Sequence, residues 1–231
     1  MHSSVIVVAA GRGTRVGGAT AKAFATIGGT PMVVYPLRTL ARLSGVTSLI
    51  LVVSAEYIRP AQALVDQYGP WPVPVRLACG GAERQDSVAA GLALVDESAE
   101  LVLVHDAARP FVSLACVDAC AAAAAAHGAA IVAVPARDTV KVADNHSITQ
   151  TLDRRRIWLA QTPQAFRTTV LREAYAQANR DGFVATDDAA LVERLGMTVR
   201  IVPGEPTNQK ITTPDDLRWA EWYLATRDQA S

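Results

Sequence analysis

Val5-Ile-Val-Val-Ala-Ala10, then Gly11-Arg-Gly-Thr-Arg-Val-Gly-Gly18, then Lys22: the reading of this stretch decides the fold. A β-branched apolar run predicts a buried strand, and the glycine-rich, basic turn begins where that run ends. In an open α/β sheet, ligands sit outside the carboxyl ends of the strands, so this turn is placed to bind one. Glycines let backbone N–H groups approach and point at phosphate oxygens, while Arg15 and Lys22 add positive charge. A triphosphate suits such a loop. Two familiar glycine loops do not fit it. No Gly-Lys-Ser/Thr follows Gly11, which excludes a Walker loop. Val16 stands where a dinucleotide fingerprint needs its third glycine, and the first acid after the loop is Glu56, far too late to meet a ribose. A plain strand-to-helix turn is the simpler alternative, but it has no use for two glycine pairs and three cations.

Composition narrows the field. The chain has 231 residues, half of them hydrophobic and 19% charged, which is enough to bury a substantial core and excludes a disordered chain. Lys plus Arg and Asp plus Glu balance at 22 each, against the basic excess of a nucleic-acid or membrane-surface binder. No apolar run has the length of a membrane span, and the first residues carry no signal-peptide pattern, so a cytoplasmic protein is expected. Cys79, Cys116 and Cys120 lack Cys-x-x-Cys spacing and paired histidines, and read as small hydrophobes rather than metal ligands.

Beyond the loop, Pro31 is expected to open a helix running to about Leu43, stopped by Gly45. A strand is predicted over Ser48–Val53, a helix over Ala61–Tyr68, and a strand over Val75–Ala78 after a proline-rich turn. Gly80-Gly-Ala-Glu-Arg-Gln-Asp-Ser87 then repeats the opening logic, a glycine pair between a strand and a helix to Leu94. The amides of Gly81 and Ala82 and the Ser87 hydroxyl are candidates to read a base edge, with an ordinary strand–helix turn as the alternative. Leu101–Val104 reads as a central strand ending in His105-Asp-Ala-Ala-Arg-Pro110, where Asp106 is a candidate for Mg²⁺ or its waters and Arg109 for a phosphate. A salt bridge capping the turn is the competing reading of that pair. Ser113 is expected to cap an alanine-rich helix to about Ala126, followed by a strand over Ala130–Val134.

From about residue 136 to 160 the pattern changes. Strands at Thr139–Val142, Ile148–Leu152 and Ile157–Ala160, with no helix between them, predict a short antiparallel β-arm. A hairpin of this size is marginal in water and should lean on something, most economically a partner subunit. Gln161-Thr-Pro-Gln-Ala-Phe166 reads as a polar segment with little structural purpose. Helices are expected over Thr169–Arg180 and Asp187–Leu195, then a strand over Met197–Val202. Lys210 precedes the Thr-Pro-Asp-Asp cap of a final helix, from which it could reach the sheet mouth or simply remain a surface lysine.

Seven stretches in order, Ala9–Arg15, Gly80–Ser87, His105–Pro110, Arg137–Lys141, Gln161–Gln164, Thr186–Ala189 and Asn208–Thr212, resemble the 2-C-methyl-D-erythritol 4-phosphate cytidylyltransferase family over essentially the whole chain. The resemblance implies one domain over 1–231, with a Rossmann-like, mostly parallel sheet flanked by helices, of the nucleotide-diphospho-sugar transferase type, and the protruding β-arm. It implies transfer of CMP from CTP to a branched polyol phosphate with Mg²⁺ or another divalent cation, releasing pyrophosphate and 4-diphosphocytidyl-2-C-methyl-D-erythritol. By the same likeness Ala10, Gly11, Gly13, Arg15 and Lys22 would hold the triphosphate, Gly81, Ala82 and Ser87 the cytosine, and Lys210 the nucleotide's phosphates. Asp106, Arg109, Thr162 and Thr186 would shape the acceptor pocket. Thr139 and Arg154 would enter the neighbouring subunit's site, making the active form a homodimer, although Arg155 and Arg156 compete with Arg154 for that role. Ala21 stands where the family pattern has proline, a change that leaves the Lys22 ammonium in place. The alternatives are a ribitol-5-phosphate cytidylyltransferase, with the same chemistry on a straight-chain acceptor, and a non-catalytic nucleotide-binding module.

Overall fold

The computed structural model describes residues 1–11 and 22–229. In chain order the elements are β1 (Ser3–Val8), β2 (Thr26–Ile27), β3 (Thr30–Pro31), α1 (Val34–Leu40), β4 (Val46–Val53), α2 (Ile58–Tyr68), β5 (Val75–Cys79), α3 (Arg84–Leu92), β6 (Leu101–Asp106) and α4 (Leu114–His127). They continue with β7 (Ala129–Pro135), β8 (Lys141–Asp144), β9 (Ser147–Thr151), β10 (Trp158–Arg167), α5 (Thr168–Asp181), α6 (Asp188–Arg194), β11 (Arg200–Pro203) and α7 (Pro214–Gln229). Seven strands form one sheet in the order β11-β7-β10-β6-β1-β4-β5. It is the mostly parallel sheet expected: β1 runs parallel to β4 and β6, and only β10 is antiparallel to its neighbours.

The sheet is apolar on both faces because helices cover both. Val5 and Val7 point into a core with Leu37 of α1 and Val117 of α4, while Ile6 points the other way, toward Val88 of α3 and Leu171 of α5. Side chains alternate across a strand, so one apolar run serves two cores. This places the carboxyl ends of β1, β5 and β6 together at one edge, each followed by a polar loop.

Three expectations need correction. Pro31 does not start a helix; it pairs with Thr26 in a two-stranded ribbon turned by Gly28 and Gly29, both at positive φ (+56° and +74°). Such a turn needs left-handed residues, and the glycine pair supplies them, which delays α1 to Val34. Gln161–Phe166 does not lack a structural purpose either: it is the buried half of β10, wedged between β6 and β7. Pro163 is tolerated there because the pairing with β7 is broken between Ala160 and Gln164, so no ladder N–H is required of it. The β-arm, lastly, has two strands, not three: β8 and β9 pair around Asn145 and His146, while β10 leaves to join the main sheet. Every residue of β8 and β9 is exposed in the single chain. No helix among the described residues is long and apolar enough to cross a membrane.

Candidate active site

A cavity of about 730 Å³ opens at the carboxyl ends of β1, β5 and β6. Its walls include Ala10 and Gly11 from the first loop, Gly80, Gly81, Ala82 and Ser87 from the second, and Asp106, Arg84 and Lys210. The two glycine loops meet closely. A Cβ on Gly80 would lie 2.5 Å from the Ala10 Cβ and 2.7 Å from Ser87 Oγ, so only glycine lets the loops close. A Cβ on Gly11 would meet nothing within 4 Å among the described residues. Ser87 Oγ donates to the Glu83 carbonyl (3.2 Å) and accepts from the Gly81 N–H (3.3 Å), so a base edge must compete with bonds the loop already makes.

Asp106 ends β6 and is buried, yet both its oxygens are met by cations. Arg84 Nε donates to Oδ1 at 3.2 Å, and Lys210 Nζ to Oδ2 at 2.7 Å. Burial by itself would push this carboxyl's pKa up; the Arg84 guanidinium, then the Lys210 ammonium, outweigh burial and hold it below the usual carboxylate range. Arg84 turns its other side to Asp188, Nη2 to Oδ2 at 2.8 Å, and Tyr175 donates its hydroxyl to Asp188 Oδ1 at 2.5 Å. Burial and the adjacent Asp188 both raise the Tyr175 phenol, so it remains a donor. Gln164 Oε1 accepts the N–H groups of Asp188 and Ala189, and Gln164 Nε2 donates to Asp187 Oδ2.

Behind Asp106 runs a second chain of contacts. Its backbone N–H donates to Thr162 Oγ1 (3.0 Å), which lies 3.1 Å from His105 Nδ1, and His105 Nε2 lies 3.1 Å from the Arg109 carbonyl. A carbonyl only accepts, so the ring proton sits on Nε2 and the threonine hydroxyl donates to Nδ1. Burial lowers the His105 pKa to about 4, consistent with a neutral ring.

Arg109 faces a different cavity, of about 450 Å³, beside the base of the arm. Its Nη1 donates to the Asn208 carbonyl at 2.7 Å and its Nη2 to that of Ala160 at 3.3 Å, while Nε is buried without a partner among the described residues. Burial lowers its pKa. Lys210 lines both cavities and so stands where they meet.

The predicted residues therefore divide. Ala10, Gly11, Gly81, Ala82, Ser87, Asp106 and Lys210 share one cavity; Arg109 shares the other with Lys210. Thr162 is buried and supports the Asp106 backbone. Thr186 and Thr139 are exposed and line neither cavity. Arg154 is exposed too and donates to the Arg137 carbonyl at 2.6 Å, at the foot of the arm. Gly13 and Arg15 lie outside the described residues, as does the Lys22 side chain; the Lys22 backbone begins a short 3₁₀ turn. Sequence reasoning passed over Arg84, Asp188, Tyr175 and Gln164. Arg84 and Asp188 lie inside Gly80–Ser87 and Thr186–Ala189, where neighbouring residues were given the binding roles and these two read as part of a helix start. Among the described residues no cluster of three His, Cys, Asp or Glu is placed to hold a metal ion.

A family model described as 2-C-methyl-D-erythritol 4-phosphate cytidylyltransferase matches residues 3–226. The chain is 44% identical over 228 residues to the protein of that name from Shouchella clausii (strain KSM-K16), covering 99% of each. It is similar to the crystal structure of 4-diphosphocytidyl-2C-methyl-D-erythritol synthase from Anaerococcus prevotii DSM 20548, with a TM-score of 0.85 at 31% identity over 97% of this chain and 98% of that one. The 2-C-methyl-D-erythritol 4-phosphate cytidylyltransferase of Thermus thermophilus superimposes with a TM-score of 0.80 at 36% identity over 97% and 100%.

Proposed function

The chain belongs to the 2-C-methyl-D-erythritol 4-phosphate cytidylyltransferase family, and from that premise we propose how its residues divide the work. It is a nucleotidyltransferase of the non-mevalonate isoprenoid pathway that moves CMP from CTP to 2-C-methyl-D-erythritol 4-phosphate and releases pyrophosphate. The Asp106–Lys210 pair, at the junction of two cavities, carries the residue assignment. In this reading CTP occupies the larger cavity. Ala10, Gly11, Gly13, Arg15 and Lys22 cradle its triphosphate, and Gly81, Ala82 and Ser87 face the cytosine. The acceptor phosphate enters from the side of Arg109; Thr186, which lines neither cavity in the single chain, is assigned to the acceptor pocket by the family likeness alone. Thr162 acts at one remove, by holding the Asp106 backbone.

An oxygen of the acceptor phosphate attacks the α-phosphorus in line with departing pyrophosphate. Both partners are anions, so catalysis consists of alignment and charge neutralisation by Arg15, Lys22 and Lys210. A phosphate monoester is already ionised near pH 7, so no general base is required. His105, with both ring nitrogens engaged, would be a poor one. A divalent cation accompanies a triphosphate, but Asp106 fits poorly as its direct ligand: Arg84 holds Oδ1, and Lys210 meets Oδ2 unless that lysine moves to the phosphates. Asp106 would meet such an ion, through water or by Oδ2, only where Lys210 has left it.

The active form in this reading is a homodimer. Val142 and Ile148 on the arm, with Trp158 and Leu159 just beyond it, are exposed apolar side chains in the single chain, which supports cover by a second copy that receives Thr139 and Arg154. Three unpaired cysteines suit a reducing compartment, and a cytoplasmic location with it. Pyrophosphate release measured across four nucleoside triphosphates and a panel of polyol phosphates tests the assignment. CTP with 2-C-methyl-D-erythritol 4-phosphate should be the preferred pair; ATP turning over equally well, or ribitol 5-phosphate preferred as acceptor, would overturn it.

A further inference from the structure

We propose that Arg84 is a positioning residue for the transfer: pinned from behind by Asp188 and Tyr175, it keeps Asp106 balanced when Lys210 leaves Asp106 for the nucleotide's phosphates. The inference rests on the reading of Asp106 and Lys210 as site residues.

Asp106 has two cationic partners, and they differ in how readily each can be given up. Lys210 makes one ion pair, its side chain is 43% exposed, and it faces both cavities. Its ammonium is a point charge on a flexible stem, able to exchange a carboxylate for a phosphate. Arg84 is held on two sides. Its planar guanidinium bridges Asp106 through Nε and Asp188 through Nη2, which a lysine with one nitrogen could not do. Asp188, whose side chain is 1% exposed, is itself fixed by the Tyr175 hydroxyl and, through its backbone, by Gln164.

Moving Arg84 would strand Asp188 as a lone buried anion, which is strongly unfavourable. Moving Lys210 strands nothing while Arg84 stays. A phosphate can therefore draw Lys210 away only because a second, immobile cation remains beside Asp106. Tyr175 and Asp188 lie outside the large cavity, so their part is to hold Arg84 and not to touch substrate.

A double-mutant cycle tests this. Arg84→Gln/Asp188→Asn replaces both charges with neutral groups of similar shape, so neither partner is left as a lone buried ion. Its kcat should fall about tenfold or more in pyrophosphate release from CTP. Added to an Asp106→Asn background the same pair should cost less than about twofold, since the charge it guards is gone. A kcat within twofold of wild type would overturn the proposal. So would equal fold losses in both backgrounds, the signature of a merely structural contact. Should Arg84→Gln/Asp188→Asn not fold, Tyr175→Phe takes its place, with a smaller kcat loss that must also vanish in the Asp106→Asn background. Asp106→Asn with wild-type kcat would instead bring down the site reading, and this inference with it.

Discussion

Lys210 Nζ donates to Asp106 Oδ2 at 2.7 Å, joining the loop before the last helix to the end of a central strand 104 positions earlier. The contact places an ammonium at the junction of the two cavities, one lined by glycine loops and the other by Arg109.

Lys210→Ala is expected to lower kcat by two to three orders of magnitude in a folded protein. Loss of one preorganised charge beside a developing transition-state charge costs roughly 3–4 kcal/mol. Arg15→Ala and Lys22→Ala should each lose about two orders for the same reason. Steady-state pyrophosphate release measures all three, and a folded variant with undiminished kcat removes that residue from the mechanism.

Gly80→Ala and Gly11→Ala should separate in thermal stability. The new methyl at Gly80 meets Ala10 Cβ and Ser87 Oγ, whereas at Gly11 it meets nothing within 4 Å among the described residues. Overpacking costs about 1–3 kcal/mol, or roughly 3–9 °C in Tm for a chain of this size. The same displaced loop should raise KM for CTP in Gly80→Ala. Equal melting temperatures for the two variants would mean that the loops do not need their close approach.

His105 makes stability depend on pH in a definite direction. Its folded pKa, about 4, lies below the ordinary 6.5, so the unfolded chain binds its proton first. The neutral form's contribution is fully present above pH 6.5 and is lost as pH falls toward 4, by roughly 3 kcal/mol for a shift of this size. Asp106, depressed by Arg84 and Lys210, contributes in the same sense but loses its share only below the ordinary carboxylate range. Urea midpoints between pH 7 and pH 4 should therefore drop in wild type and drop less in His105→Asn. Parallel declines would show that His105 is not the group titrating.

Subunit mixing tests the shared site. Asp106→Ala and Arg154→Ala homodimers should each be nearly inactive. Refolded together at equal amounts, half the dimers are mixed, and each mixed dimer carries one doubly defective site and one intact site. Two-fold symmetry then restores roughly a quarter of wild-type activity. No recovery, with mixed dimers verified by mass, would place Arg154 in its own chain's site.

Much of this was legible in the chain itself. Runs such as Val5–Val8 and Leu101–Val104 announce buried strands through β-branched residues, and the glycine pairs after two strands mark where a ligand can approach. Ser113 caps α4 through the Cys116 N–H, as its place before an alanine-rich run suggests. These features are local: each depends on a few consecutive residues and the geometry of one element.

What escaped was non-local. Gln161–Phe166 looked purposeless because its hydrogen-bonding partners come from β6, β7 and the 205–208 loop, none adjacent in sequence. Arg84 looked like one more polar residue at a helix start until the fold set it between Asp106 and Asp188, 22 and 104 positions away. The strands, and the glycine loops that line the larger cavity, were written in the sequence. Which cation Asp106 can spare, and which is locked in place, was decided only by the tertiary structure, because a buried charge takes its energy from whichever partners the fold brings beside it.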